Sequence, residues 1–222
     1  MRKPTILLAI LATTTLTGCS ALKDLSNLFN QLKNLDVDTS QSESRDEGNK
    51  ELFNAAISAL NQKNYFMVYK LSTMGFTMTF NYEIDRNIAK VDDNYYDYSE
   101  TTSESGYAWE YIYDSETDKY IKRQQDLSNE PAATRYLTRD IYSTEDYHFN
   151  DLTNSFDLSP VKCSYYGFSK CSITVTGSAS SMKVYIDADV KQTDTASAAA
   201  FKASFDRFGQ AHVTLPTNYV EE

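Results

Sequence analysis

Phe76-Thr77-Met78-Thr79-Phe80-Asn81-Tyr82-Glu83-Ile84 alternates with a period of two. Phe76, Met78, Phe80, Tyr82 and Ile84 fall on one side, and Thr77, Thr79, Asn81 and Glu83 on the other. A strand of this kind has one wet face and one buried face, which is the signature of an antiparallel sheet packed on a core. Asp85-Arg86-Asn87 then supplies turn residues. Working outward, the spacing predicts further strands at Ile88–Asp92, Tyr95–Glu100, Tyr107–Tyr113 and Lys119–Gln124. After a break they resume at Val161–Tyr165, Cys171–Thr176, Met182–Lys191, Ala200–Phe205 and Gln210–Leu215. Met182, Val184, Ile186, Ala188 and Val190 alternate with Lys183, Tyr185, Asp187 and Asp189.

Two segments break the period of two. Before the strands, Leu52, Phe53, Ala56, Ile57 and Leu60 form one helical stripe, ended by Asn61, Lys63 and Asn64. Between the two strand groups, Asn129-Glu130-Pro131 places proline where a helix begins. Tyr136, Leu137 and Ile141, then Phe149, Leu152 and Phe156, suit one or two short helices that Pro160 stops. The expected fold is α+β: a strongly curved antiparallel sheet, a half-barrel, with helices covering its concave face. Residues 50–222 are expected to form one such domain, and no internal repeat is present.

The first 18 residues read differently. Met1-Arg2-Lys3 is a short cationic start, followed by the apolar run Ile6–Ala12, too short for the about 20 residues of a membrane-spanning helix. This order is that of a secretory signal. Leu16-Thr17-Gly18-Cys19 resembles the bacterial lipobox. The resemblance implies cleavage between Gly18 and Cys19, a diacylglycerol thioether on Cys19, and acylation (palmitate or similar) of its new amino group. Each buried CH₂ contributes about 0.8 kcal/mol, so two or three chains anchor the protein durably. The expected location is the bacterial cell envelope, on the extracytoplasmic side of the cell membrane or, in a two-membrane cell, at the outer membrane. By resemblance to known sorting rules, Ser20 in second place favours the outer membrane if the cell has two membranes and carries no meaning if it has one.

Residues 19–49 form the expected leash. Leu22, Leu25, Leu28, Phe29, Leu32 and Leu35 recur at helical steps and make a short amphipathic helix. Residues 36–49 are polar and solvated. Asp36, Asp38, Ser40 and Glu47 stand at calcium-loop spacings, but Gln41 occupies the place that needs glycine.

Without residues 1–18 the chain has 19 basic and 31 acidic residues, a net charge near −12. Such a surface does not suit nucleic acid or anionic lipid headgroups. The two histidines, His148 and His212, have no metal-ligand spacing with another His or Cys. The chain lacks a nucleophile elbow and a phosphate-binding glycine loop, and adjacent Asp92 and Asp93 point to opposite faces of a strand. No metal, cofactor or enzymatic reaction is expected.

Of the three cysteines, Cys19 goes to lipid and Cys163 and Cys171 remain. A hairpin folding at Gly167 would set these two opposite each other, about 4.5–5.5 Å apart at Cα and within disulfide reach. The alternative is a pair of buried free thiols.

The order of lipobox, polar leash, helix, strands, helical insert and strands ends in Phe205-Asp206-Arg207-Phe208-Gly209-Gln210-Ala211-His212-Val213-Thr214-Leu215-Pro216. This layout resembles the lipoprotein-localisation-factor superfamily (LolA-, LolB- and LppX-like proteins). The resemblance implies an apolar cavity between sheet and helices that carries a lipid or lipoprotein. Phe76, Met78, Phe80, Val184 and Ile186 are the candidate lining. The competing expectation is a surface-displayed, adhesin-like interaction protein with a solid aromatic core and no small ligand. The 17 tyrosines bear on this choice. Tyr107, Trp109 and Tyr111 either fill the core, form an exposed platform for sugar or peptide, or line a partly polar cavity.

Overall fold

In a computed structural model of the chain, the described residues are 45–100, 106–128, 130, 132–191 and 199–222. The expected signal sequence, Gly18, Cys19, the helix expected over 22–35 and residues 36–44 of the expected leash lie outside them. The chain is an α+β protein. Its strands form one open 12-stranded sheet in the order β12-β6-β5-β4-β3-β2-β1-β11-β10-β9-β8-β7.

Helix α1 (Arg45–Asn61) precedes β1 (Asn64–Thr73), β2 (Phe76–Asp85), β3 (Ile88–Val91), β4 (Asn94–Asp97), β5 (Tyr107–Asp114) and β6 (Lys119–Asp126). Helix α2 (Ala132–Thr138) and a 3-10 turn (Thr144–Asp146) lead to β7 (Tyr147–Asn150) and β8 (Ser155–Leu158). Helix α3 (Pro160–Tyr166), β9 (Phe168–Thr176), β10 (Lys183–Val190), β11 (Ala199–Asp206) and β12 (Tyr219–Glu221) complete it. Pairing is antiparallel except for β12, which lies parallel to β6.

Directly opposed residues share a face, so the register sorts the side chains. Tyr65, Met67 and Tyr69 of β1 lie opposite Ile84, Tyr82 and Phe80 of β2. Met67 and Tyr69 also face Phe205 and Ala203 of β11, which face Val184 and Ile186 of β10. Phe53, Ala56, Ile57 and Leu60 of α1 close over this face and are all buried. Each such side chain contributes about 1.5–3 kcal/mol by leaving water.

The strand expectations at β2, β3, β5, β6, β9, β10 and β11 hold, as does the turn at Arg86-Asn87. The strand expected at Tyr95–Glu100 is shorter, with β4 ending at Asp97. Five other segments differ. Residues 45–49, expected in the leash, are the first turns of α1. Strand β1 is new: Phe66 and Val68 sit between Tyr65, Met67 and Tyr69, so both faces are apolar and the alternation is hidden. Val161–Tyr165 is helical, because Ser159 and Pro160 start a helix and Gly167, at φ 72°, ends it. The expected hairpin at Gly167 is therefore absent. Residues 147–158 are the hairpin β7–β8, turning through Asn154 at φ 50°, since Tyr147, Phe149, Phe156 and Leu158 alternate over strands of four residues. Gln210–Leu215 is extended chain outside the sheet, its backbone held by side chains.

Candidate functional site

The five candidate lining residues share the face that α1 covers. Val184 and Ile186 are sealed beneath it, at 0% and 1% exposure. Tyr69 links the sealed region to β2, its ring 5.8 Å from Phe201 and 5.9 Å from Phe80. Beyond that contact the cover thins. Phe80 and Met78 are half-buried, and Phe76 is 50% exposed. The apolar stripe of β2 thus runs from core to open surface.

Further along the same face, toward β4–β6, the buried groups turn polar. Tyr96 Oη donates to Glu110 Oε1 at 3.1 Å, and Arg123 Nε donates to Glu110 Oε2 at 3.0 Å. Burial and then the Glu110 carboxylate push the Tyr96 phenol far above its ordinary range. Glu130 accepts from Arg139 Nε at 3.1 Å. Burial raises its carboxyl, and Arg139 opposes that.

Cys163 on α3 and Cys171 on β9 are buried free thiols. Cys163 Sγ lies 3.5 Å from the Leu158 carbonyl, and Cys171 Sγ lies 3.5 Å from Tyr136 Oη. Burial pushes the Cys171 thiol up to about 12 and raises Cys163 as well. Both line a cavity of about 260 Å³, together with His148, Asp157, Phe168 and Lys191. That is slightly below the range usual for small-molecule sites, about 300 Å³ and up. Among the described residues, no group of His, Cys, Asp and Glu is arranged to hold a metal ion. His148 is exposed on β7, and His212 is exposed after β11.

Tyr95 of β4 and the aromatics of β5 resolve onto the other side of the sheet, while Tyr96 stays on the helix side. On β5 it is Ala108 and Glu110 that are buried on the helix side, while Tyr107, Trp109, Tyr111 and Tyr113 face outward. Register makes a row across this outer face: Glu83, Lys90, Tyr95, Tyr111, Lys122 and Glu221. Tyr95 and Tyr113 pack against Tyr120, with ring centroids 5.6 and 5.4 Å apart. Lys122 Nζ sits 4.5 Å from the centre of the Trp109 ring. The sequence signal for this row was present as alternation in Tyr107–Tyr113, but that alternation alone did not say which side faced solvent.

Comparison with models of known protein families finds no match, and no curated protein matches the chain. The fold and these surfaces define a class by architecture: an α+β protein on one open sheet, apolar under its helix and aromatic on its outer side.

Proposed function

We propose that the chain is a lipoprotein of the cell envelope, anchored through acyl groups on Cys19, whose folded part binds an amphiphilic ligand on the helix-side face. In this reading the sheet curves around that face as a half-barrel, with the helices on the concave side. One observation carries it. The apolar stripe of β2 continues past its cover, from buried Ile84 through half-buried Phe80 and Met78 to exposed Phe76. The apolar part of a lipid or lipid-modified protein lies along Phe80, Met78, Phe76 and Leu71; Val184 and Ile186, sealed under α1, belong to the core rather than to the lining. In the oxidising compartment that the signal implies, Cys163 and Cys171 join as a disulfide by exchange with an oxidised dithiol partner.

The test is mass spectrometry of the full-length protein purified gently from membranes. A stoichiometric lipid or acylated peptide is expected with the parent and is lost from Met78→Asp/Phe80→Asp. An empty spectrum for the parent, or one unchanged by those substitutions, overturns ligand carriage and favours the surface-interaction expectation. A Cys19→Ser chain that stays with membranes as firmly as the parent overturns the anchor.

A further inference from the structure

After β11 the chain becomes a strap over the outer face. Asn64 of β1 grips it at both polar atoms: Ala211 N donates to Asn64 Oδ1 at 2.9 Å, and Asn64 Nδ2 donates to the Ala211 carbonyl at 3.0 Å. His212 N donates to Glu83 Oε1 of β2 at 3.1 Å. The next backbone anchor is on β6, where Tyr120 N donates to the Asn218 carbonyl at 3.0 Å. Residues 212–218 reach roughly 20 Å when extended. Four strand spacings from β2 to β6 are about 19 Å. The strap is long enough for that crossing, and it delivers residues 219–221 to the edge of β6.

The two sides of that contact are unequal. The receiving side is packed: Tyr111 is 5% exposed and the Lys122 side chain is 16% exposed. The delivered side is open: Tyr219 is 38% exposed, Val220 46%, and the Glu221 side chain 68%. Tyr219 stands edge-on to Tyr111 at 5.4 Å, Lys122 Nζ lies 5.2 Å from the Tyr219 ring, and the same amine pairs with Glu221 Oε1 at 2.9 Å. Glu222 N donates to the Lys122 carbonyl at 3.0 Å. The occupant has only three residues and pairs parallel, the slightly weaker of the two ladder geometries per residue. An exposed ion pair adds at most a little.

We infer that the β6 edge is a strand-docking site for an extended segment of a partner protein with the pattern aromatic-x-acidic, and that residues 219–221 are its resident placeholder. Backbone pairing along β6 supplies the attachment. Side chains at alternate positions supply the selectivity. Tyr111 receives the aromatic ring, and Lys122, which sits over the Trp109 ring, receives the carboxylate. The inference is independent of any ligand on the helix-side face.

The probe is a labelled heptapeptide with the sequence of residues 216–222, titrated against the full chain. Binding is read by fluorescence anisotropy and by the emission of Trp109, the only tryptophan. The parent binds it weakly, because its own segment competes. A full chain carrying Tyr219→Ser and Glu221→Gln binds about tenfold tighter, since the edge is vacated more of the time. Adding Lys122→Glu abolishes binding, and a peptide with lysine in place of Glu221 restores it. That restoration separates lost recognition from lost folding. No saturable binding to the Tyr219→Ser/Glu221→Gln chain overturns the inference. So does binding indifferent to Lys122→Glu, or binding that leaves Trp109 emission unchanged.

Discussion

Strands β10 and β5 alternate with equal regularity, and they resolve in opposite ways. On β10, Val184, Ile186 and Ala188 are buried and Lys183 and Asp187 face solvent. On β5, the bulky set of Tyr107, Trp109, Tyr111 and Tyr113 lies on the outer face, where Tyr111 is covered by Tyr219, while Ala108 and the charged Glu110 are buried on the helix side. Periodicity establishes that a strand has two faces. It does not establish which one is inside. On β5 that choice falls to the partners of Glu110, because a buried carboxylate survives only where cations and donors surround it. Arg123 and Tyr96 supply them, from the two strands that flank β5.

Breaking each strand's buried face separates the two cases. Phe205→Ala, beside Val184 on the sealed face, is expected to cost about 3–5 kcal/mol through cavity formation. Glu110→Ala should cost about 2–3 kcal/mol, because it removes the hydrogen bonds that Tyr96 Oη and Arg123 Nε make to the carboxylate. Tyr113→Ala, 38% exposed on the outer face, should cost less than about 1 kcal/mol. Urea unfolding of the three variants measures the order. If Tyr113→Ala cost more than Glu110→Ala, the face assignment of β5 would be reversed.

Lys63 sharpens the contrast, since it is a half-buried charge whose surroundings do not compensate fully. Its Nζ donates to the Asp140 carbonyl at 2.5 Å and lies 5.2 Å from the centre of the Tyr142 ring. Burial lowers it to about 8; the Asp140 charge opposes that shift and Arg139 adds to it. The unfolded chain keeps this proton to near 10.5, so between the two values it binds more protons than the folded one. Stability from this group therefore rises with pH through about 8. From about pH 7 to about pH 9, the parent should gain about 1 kcal/mol relative to Lys63→Met. Comparing both chains at both pH values cancels the titration of the thiols. A difference that shrinks with pH would mean that Lys63 is charged and well satisfied when folded.

The parts legible in the sequence were those where local pattern and tertiary environment agree. The α1 stripe and the long strands β2 and β10 belong to this group, since their apolar sets meet the same core. Strand β1 was hidden because Phe66 and Val68 make its outer face apolar too. Of the candidate site residues, Phe76, Met78 and Phe80 share a face with Val184 and Ile186, as the alternation implied. Which of the five are sealed depends on where α1 ends, and no local signal carries that. The Lys122 seat was illegible for a similar reason: it joins β5, β6 and a segment about a hundred residues later.

The segment 159–167 shows one local signal read in the wrong direction. Pro160 ends a helix when it follows one, and begins a helix when Ser or Asp stands before it and Gly lies some two turns later. Here Ser159, Pro160 and Gly167 make the second pattern, and Ser159 Oγ accepts from Lys162 N at 3.5 Å. The alternative, a hairpin through Gly167, also accounts for a glycine with positive φ, so Gly167 does not distinguish them. Ser159 does. As a helix cap its loss frees a backbone donor and costs about 0.5–1 kcal/mol, whereas as a loop residue before a strand its replacement is close to neutral. Ser159→Ala should therefore lower the urea midpoint measurably, and Ser159→Asp should restore it. Equal midpoints for all three chains would remove the helix and return Cys163 to a strand opposite Cys171.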